Sequence, residues 1–246
     1  MVYPLIVLVV SLAFCLAVTR QYLARRRPYQ LAWCLSLAAA AAGSLAYIVF
    51  LGDGKSELAF RLYYIFGALL TAPLLGLGSL LLIARSDAAK ARVRWAIIAV
   101  AAASVVGTVV LLVDPINSTV LHQLNGGPGT KPDVYKPDVL RTALVAILNI
   151  FGAICVVGVA VYSGWQLYRK NGSQRLVIAN VLIALGTYII SQAGGQARTG
   201  FGAGAFWLTM TVGWVVLFAG FLCTFSLQRE SSPSAQNLNK QVVAPS

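Results

Sequence analysis

Residues 95–113, WAIIAVAAASVVGTVVLLV, form an apolar run that contains no charged side chain. The run has about the 20 residues that an α-helix needs to cross the hydrocarbon core of a bilayer. The whole chain shares this character, because 59% of its 246 residues are hydrophobic and only 11% are charged. Soluble domains carry roughly 25% charged residues, and disordered chains lack apolar material. The composition excludes both classes and predicts an integral, multi-pass membrane protein.

Six further apolar runs flank residues 95–113 and bring the number of predicted spans to seven. The spans cover residues 3–19, 29–51, 58–83, 95–113, 142–168, 176–192 and 205–227. Their connections are short except for residues 114–141, where the Gly, Pro and Asn residues of LNGGPGTKPDVYKPD predict a loop outside the membrane. We therefore expect an all-α, seven-transmembrane-helix bundle as one domain over residues 1–227. A polar tail over residues 228–246 is expected to be disordered.

The basic residues are concentrated in alternate connections, and this asymmetry predicts the orientation of the bundle. The first, third and fifth connections and the tail hold thirteen Lys and Arg residues, against six on the opposite side. The richer side carries +11 of the formal net charge of +12. Because cytoplasmic loops are enriched in basic residues, we expect the N-terminus outside and the C-terminus inside, in a bacterial cytoplasmic membrane. The charge also predicts anionic lipids at the cytoplasmic face, and it does not require a nucleic-acid partner.

An internal similarity predicts how the seven spans are grouped. A shift of 143–144 residues aligns four pairs: Gln30 with Gln174, Gly43 with Gly186, Gly76 with Gly220, and Arg85 with Arg229. The shift relates the first three spans to the last three and leaves the fourth as a linker. Parallel repeats of this kind occur in transporters.

The 3+1+3 layout resembles the topology of the SWEET sugar facilitators and, more distantly, the microbial opsin-like fold. Residues 60–67 (FRLYYIFG) and 76–79 (GLGS) are similar to segments of uncharacterised bacterial seven-helix integral membrane proteins. These resemblances imply a fold and no specific activity. The Pro-Gln signature of the facilitators is absent. All six lysines lie in loops or the tail, so none is placed to bind retinal in the last span.

The residue types that carry most membrane-protein chemistry are missing from the spans. The only histidine, His122, lies in the outer loop, which argues against haem-binding histidine pairs and Ser–His catalysis. The acidic residues lie in loops or at span ends, which argues against proton relays and intramembrane aspartyl proteases. The four cysteines lie within apolar runs without metal-ligand spacing. We therefore expect neither an enzyme nor a bound metal or cofactor.

Polar side chains within or beside the spans are the candidate ligand-binding groups. The candidates are Glu57, Arg61, Tyr64, Asn149, Asn180, Tyr188, Gln192 and Trp214. Helical spacing along the third and sixth spans predicts that several of them share a face. Pro73 is expected to kink the third span, because proline has no backbone N–H. Two alternatives remain open: polar side chains often form structural hydrogen bonds between membrane helices, and Arg61 can extend its guanidinium to the outer interface.

Three functions are compatible with this sequence. The first, which we favour, is a non-enzymatic sensor or small-ligand-binding protein that acts through a separate protein partner, because the cytoplasmic loops are too short for an output domain. The second is a facilitative transporter without carboxylate-based ion coupling, which the parallel repeat suggests. The third is a structural accessory subunit of a membrane complex, suggested by the lack of catalytic groups.

Overall fold

Seven long helices build the part of the protein that the structure describes. The computed structural model describes residues 2–52, 54–124, 126, 134–135, 138–199 and 203–230, without the side chains of residues 197–199, 203 and 225–230. The helices are α1 (Val2–Arg25), α2 (Pro28–Gly52), α3 (Glu57–Ile83), α4 (Asp87–Val113), α5 (Val139–Arg169), α6 (Gln174–Thr199) and α7 (Ala203–Glu230). Each is long and apolar enough to cross a membrane. The prediction of an all-α, seven-helix integral membrane protein is confirmed.

Several helices begin before the predicted spans, because polar caps and not the apolar runs determine where they start. The Ser86 hydroxyl precedes α4 and accepts a hydrogen bond from the Ala89 N–H at 3.2 Å. The Asp138 carboxylate precedes α5 and accepts hydrogen bonds from two backbone N–H groups of its first turn, at 3.0 and 3.2 Å. Such caps pair the N–H groups that have no partner within the helix. The first helical turns therefore consist partly of polar residues.

The end of the last helix also differs from the prediction. α7 continues to Glu230, whereas the sequence predicts a disordered tail from residue 228. Residues 228–230 include no proline or glycine, so nothing in the local sequence stops the helix where the apolar run ends. The rest of the predicted tail, residues 231–246, lies outside the described residues.

Six of the helices form a closed ring, and α4 packs against its outside. Each ring helix contacts the next in the order α1, α2, α3, α5, α6, α7 and back to α1. α4 contacts α3 and α5, and only 17% of its apolar window is buried, against 50% for α2. We call the end with the connections at residues 26–27, 84–86 and 170–173 the basic end, and the opposite end, with the loop after α4, the loop end.

The ring has the symmetry that the internal repeat predicts. Exchange of α1–α3 with α5–α7 maps the α1–α2 contact onto α5–α6, the α2–α3 contact onto α6–α7, and the α3–α5 contact onto α7–α1. Gly43 meets Gly67 where α2 crosses α3, and Gly186 meets Gly213 where α6 crosses α7. The two contacts join corresponding pairs of helices, although Gly67 and Gly213 lie 146 positions apart and not 143–144. The helix arrangement therefore supports the parallel 3+1+3 repeat.

The two halves of the ring approach each other most closely at a pair of glycines. A Cβ atom on Gly76 of α3 would lie 2.8 Å from the Cα atom of Gly152 on α5, and a Cβ on Gly152 would overlap the Ala72 carbonyl. Small residues allow membrane helices to come this close. Gly220, which aligns with Gly76 in the sequence, packs on α6. This aligned pair is therefore not equivalent in the structure.

Replacement of Gly152 by alanine is expected to lower the free energy of unfolding by about 2 kcal/mol or more, because the new methyl group meets backbone atoms that cannot move aside. Gly158 on the same helix is the matched control, since a Cβ there would meet no atom within 4 Å. Gly158→Ala is expected to be neutral or slightly stabilising. Reversible unfolding of both variants in mixed micelles measures the difference. Equal stability of the two variants would contradict the glycine contact.

Candidate ligand-binding site

A cavity of about 410 Å³ occupies the interior of the ring. All six ring helices contribute to its lining, from Val7 on α1 to Trp214 on α7, and α4 contributes no residue. The volume falls within the range of roughly 300–1,000 Å³ that small-molecule sites occupy. The cavity therefore lies between the two halves of the repeat, where both halves can contact one ligand.

Aromatic side chains form the cavity wall toward the loop end. They are Tyr63, Tyr64, Phe206 and Trp207, while Trp214 lines the cavity farther toward the basic end. The centroid of the Tyr63 ring lies 5.4 Å from that of Tyr64 and 6.3 Å from that of Trp207. The Trp207 indole N–H donates a hydrogen bond to the Gly126 carbonyl of the long loop at 3.1 Å. Among the residues that the structure describes, no charged side chain lines the cavity. The wall therefore offers flat apolar surfaces and few polar groups.

A second aromatic cluster separates the cavity from the basic end. The Phe14 ring of α1 lies 4.4 Å from the Phe221 ring and 5.1 Å from the Phe218 ring of α7, between centroids. Trp33 of α2 lies 6.3 Å from Phe221. Each of these residues lies one to two helical turns closer to the basic end than the nearest cavity-lining residue of its own helix. The cluster fills the space between α1, α2 and α7 on that side.

The hydroxyl groups that line the cavity bind their own helices. Thr71 donates to the Phe66 carbonyl at 2.7 Å, and Thr187 donates to the Ile183 carbonyl at 2.8 Å. Ser191 donates to the Thr187 carbonyl at 2.9 Å. Such bonds satisfy the hydroxyl proton in apolar surroundings. These residues therefore form the structural hydrogen bonds that the sequence left open as an alternative. They also line the cavity.

Pro73 is accompanied by a widened turn on the cavity side of α3. Residues Tyr64–Leu70 form a π-helical segment just before the proline. Pro73 itself lies in the α-helical part of α3 that follows, and it has no N–H to donate to a carbonyl of the preceding turn. Close to this position, Nδ2 of Asn149 on α5 donates to the Ala68 carbonyl at 2.6 Å and to the Val145 carbonyl of its own helix at 2.7 Å. One amide thus joins α5 to the turn of α3 that precedes the proline.

Three of the eight predicted ligand-binding residues line the cavity. They are Tyr64, Asn149 and Trp214, on α3, α5 and α7. Their position agrees with the expectation that the third, fifth and seventh spans face a common interior. The structure brings these three side chains to one cavity, and their ligand-binding role stays a prediction.

The three candidates on α6 do not line the cavity. Asn180 donates to the Leu176 carbonyl of its own helix at 2.8 Å. It lies seven residues before Thr187 and therefore on the same face, about two turns nearer the basic end. Tyr188 is 58% exposed, and Gln192 is exposed as well. Because each residue turns the helix by about 100°, these two side chains lie beside the face that carries Thr187. The ligand-binding role of all three stays a prediction.

Glu57 and Arg61 lie at the loop end, outside the cavity lining. The Arg61 guanidinium donates to the Glu57 carboxylate at 3.0 Å through Nε, and to the carbonyls of Leu111 and, at 2.8 Å, Asp114. The last carbonyls of a helix lack backbone partners and carry a partial negative charge. Arg61 therefore fastens α3 to the end of α4. These contacts bury its side chain, and 9% of the residue is exposed.

A second ion pair continues this network and fixes the loop. Arg141 of α5 pairs with Asp114, and its guanidinium carbon lies 4.5 Å above the centroid of the Tyr135 ring. Tyr135 packs against Phe60 and Tyr64, with centroid separations of 5.9 and 5.3 Å. Burial raises the pKa of Tyr135 to about 12, although the two nearby guanidinium groups lower it. The loop thus contacts the outer side of a residue that lines the cavity.

Sequence reasoning missed part of the aromatic wall. Tyr63, Phe206 and Trp207 line the cavity but were not among the candidates. A usable signal exists, because Trp207, Met210 and Trp214 recur at intervals of three and four residues, the spacing of one helical face. Aromatic residues near the end of a span are also common at the membrane interface. Residue type alone therefore does not distinguish a cavity-lining position from an interface position.

No protein-family model, no curated protein and no solved structure matches this chain. Among the described residues, no group of three or more His, Cys, Asp or Glu side chains is arranged to hold a metal ion. The geometry of the cavity is therefore the basis for assigning a function.

Loss of the Asn149 amide is expected to lower the free energy of unfolding by more when residue 73 is proline than when residue 73 has an N–H. Asn149→Ala leaves the Ala68 carbonyl without this donor, at an expected cost of roughly 1–2 kcal/mol of unfolding free energy. In the Pro73→Ala background the new N–H can pair with the freed carbonyl. There the same substitution is expected to cost about 1 kcal/mol less. Unfolding of the four proteins in mixed micelles measures this coupling.

The double-mutant cycle tests the link between the proline and the amide directly. Purely additive effects would show that Asn149 stabilises the bundle independently of the missing N–H. Thr108→Val on α4 serves as a control, since Thr108 binds the carbonyl of Ser104 on its own helix at 2.8 Å. Its effect is expected to be the same with either residue at position 73.

Proposed function

We propose that the protein is a non-enzymatic, receptor-type membrane protein that binds a small uncharged molecule in the ring cavity. The observation that carries this proposal is a cavity of about 410 Å³ lined by six helices, with no charged side chain among the described lining residues. A charged ligand would lose its hydration there and find no opposite charge, which is strongly unfavourable. The aromatic cluster around Phe14 lies between the cavity and the basic end, and we propose that the ligand enters from the loop end.

The widened turn of α3 supports a sensor role. π-Helical segments are rare and occur frequently at functional sites. Here the segment Tyr64–Leu70 forms part of the cavity wall, and Arg61 lies one turn before it and holds the end of α4. A ligand that contacts this wall therefore acts on α3 and, through Arg61, on α4. A separate protein partner then responds to the conformational change of α3 and α4.

The charge distribution supports the proposed membrane and the proposed orientation of the protein within it. The basic end faces the cytoplasm of a bacterial cell and contacts anionic lipids, because Lys and Arg residues are retained on the inner side of the cytoplasmic membrane. In this orientation the cavity receives its ligand from the outside.

A bulky side chain at Gly194 is expected to abolish ligand binding. Gly194 lines the cavity, and a Cβ there would meet no atom within 4 Å, so phenylalanine fits the helix and takes up ligand space. The measurement is the thermal shift that a panel of uncharged aromatic and aliphatic compounds causes in lipid nanodiscs. Compounds that raise the Tm of the unchanged protein are expected to leave the Tm of Gly194→Phe unaltered.

Gly158→Phe is the matched control for this experiment. Gly158 also has free space for a Cβ, but it does not line the cavity. This variant is expected to respond to the panel like the unchanged protein. The proposal is wrong if no compound shifts the Tm, or if both variants respond equally.

A facilitative transporter is the second candidate, and the position of the cavity favours it. Transporters built from repeats hold their substrate between the two halves, which then rock against each other. Here α1–α3 and α5–α7 both line the cavity and correspond under the exchange of halves. The Phe14 cluster would then be the gate that opens toward the basic end.

Flux into proteoliposomes separates the two candidates. A transporter is expected to move an uncharged panel compound faster than empty vesicles do, and Phe14→Ala is expected to raise that flux several-fold because it removes a ring from the gate. Gly194→Phe serves as the blocked control. Saturable binding without any flux above that of empty vesicles supports the receptor and excludes the facilitator.

A further inference from the structure

The polar groups around the cavity are mostly hydrogen-bond acceptors. A hydroxyl group has one proton, and the hydroxyls of Thr71, Thr187 and Ser191 donate theirs to backbone carbonyls at 2.7–2.9 Å. These oxygen atoms can offer a ligand only their remaining lone pairs. All three residues line the cavity.

The half-buried Asn149 reinforces this bias. Both protons of its amide nitrogen are used, by the carbonyls of Ala68 and Val145. Its Oδ1 atom accepts no hydrogen bond from another described residue, and the side chain lines the cavity. The backbone carbonyls fix the amide in this orientation, because a flipped amide would place Oδ1 against two other acceptors. Asn149 therefore presents a fixed acceptor.

Other polar groups in the lining can donate. Ser44, Tyr63 and Tyr64 carry hydroxyl groups, which can donate or accept, and the Trp214 indole N–H can only donate. A ligand that carries only acceptors can pair with these groups but leaves the fixed acceptors unpaired. Buried polar groups without partners are unfavourable, so the cavity selects for a ligand that donates.

An ammonium group also donates hydrogen bonds, but the surroundings do not suit a cation. No carboxylate of the described residues lines the cavity. Two acidic groups described at the loop end, Glu57 and Asp114, are paired with Arg61 and Arg141. A cation would therefore give up its hydration without a counter-ion.

We propose that the cavity binds a planar, uncharged aromatic molecule that carries an N–H or O–H group, and that this group donates a hydrogen bond to Oδ1 of Asn149. The inference rests on the proposed ligand-binding function and adds the chemical class of the ligand. Tyr63, Tyr64 and Trp207 supply the flat surfaces against which such a ring packs. Asn149 is thereby the residue that determines specificity.

A pair of probes of nearly equal shape tests the donor directly. Carbazole carries an N–H where dibenzofuran carries an ether oxygen. Their dissociation constants are measured by calorimetry with the full-length protein in nanodiscs, after subtraction of partition into empty nanodiscs. Carbazole is expected to bind about tenfold more tightly, the ratio that corresponds to one net hydrogen bond. This comparison leaves the protein unchanged, so it does not depend on the folding of any variant.

The variant Asn149→Leu tests whether the Asn149 amide causes the preference for carbazole over dibenzofuran. The variant is expected to reduce the ratio of the two constants from about tenfold to about one. The constant for dibenzofuran is expected to stay within about threefold, which also reports that the cavity is intact. Thr108→Val on α4, outside the cavity, is expected to preserve the full ratio. A ratio retained in Asn149→Leu would remove Asn149 from ligand recognition and overturn the proposal.

The remaining outcomes separate this inference from the proposed function. Equal binding of the two probes, or tighter binding of dibenzofuran, overturns the proposal that the ligand donates a hydrogen bond to Asn149. The proposed binding in the cavity would still stand. Tighter binding of cationic tryptamine than of indole overturns the uncharged class. If neither carbazole nor dibenzofuran binds, but a panel compound gives a thermal shift that Gly194→Phe abolishes, the aromatic class is wrong and the receptor remains. If no compound of any kind binds, both proposals fail.

Discussion

The interface between α3 and α5 is the interaction on which the ring depends most, because it is the more extensive of the two contacts that join the first three helices to the last three, the other being α7 with α1. Two of its features bring the helices together. Gly76 and Gly152 allow the backbones to touch, and the Asn149 amide binds the Ala68 carbonyl at 2.6 Å. In apolar surroundings an unpaired carbonyl is costly, so a proline in α3 requires a donor from elsewhere. The Asn149 amide provides a donor in the turn before Pro73 and thereby ties the two halves of the ring together.

The charged residues are kept away from this interior and act at its two ends. At the loop end, Arg61 and Arg141 hold the end of α4 and the loop through Glu57 and Asp114. At the basic end, most Lys and Arg residues flank the helix termini. A lining without charge follows from this separation. The same separation restricts the proposed ligand to an uncharged molecule and makes the fixed acceptor at Asn149 its main polar partner.

The candidate site was predictable where a polar or aromatic residue also faces the interior, as at Tyr64, Asn149 and Trp214. Tyr188 and Gln192 instead lie on the exposed side of α6, away from the cavity. A helix that crosses a membrane is apolar on nearly all sides, so its pattern does not show which face is buried. Glu57 and Arg61 were grouped with the site by helical spacing. They instead bind each other and α4, a neighbour that spacing along one helix does not reveal.

The sequence by itself determined the class of protein, the number of helices and their approximate bounds, because runs of about 20 apolar residues are stable as helices across a bilayer whatever they pack against. The internal similarity also indicated the grouping of the helices. Only the tertiary structure decided that α4 lies outside the ring, that six helices line one cavity, and that Asn149 binds the Ala68 carbonyl across the interface. These features arise from contacts between residues about 80 positions apart, such as Asn149 and Ala68. The rotation and approach of whole helices create such contacts, and no local pattern encodes them.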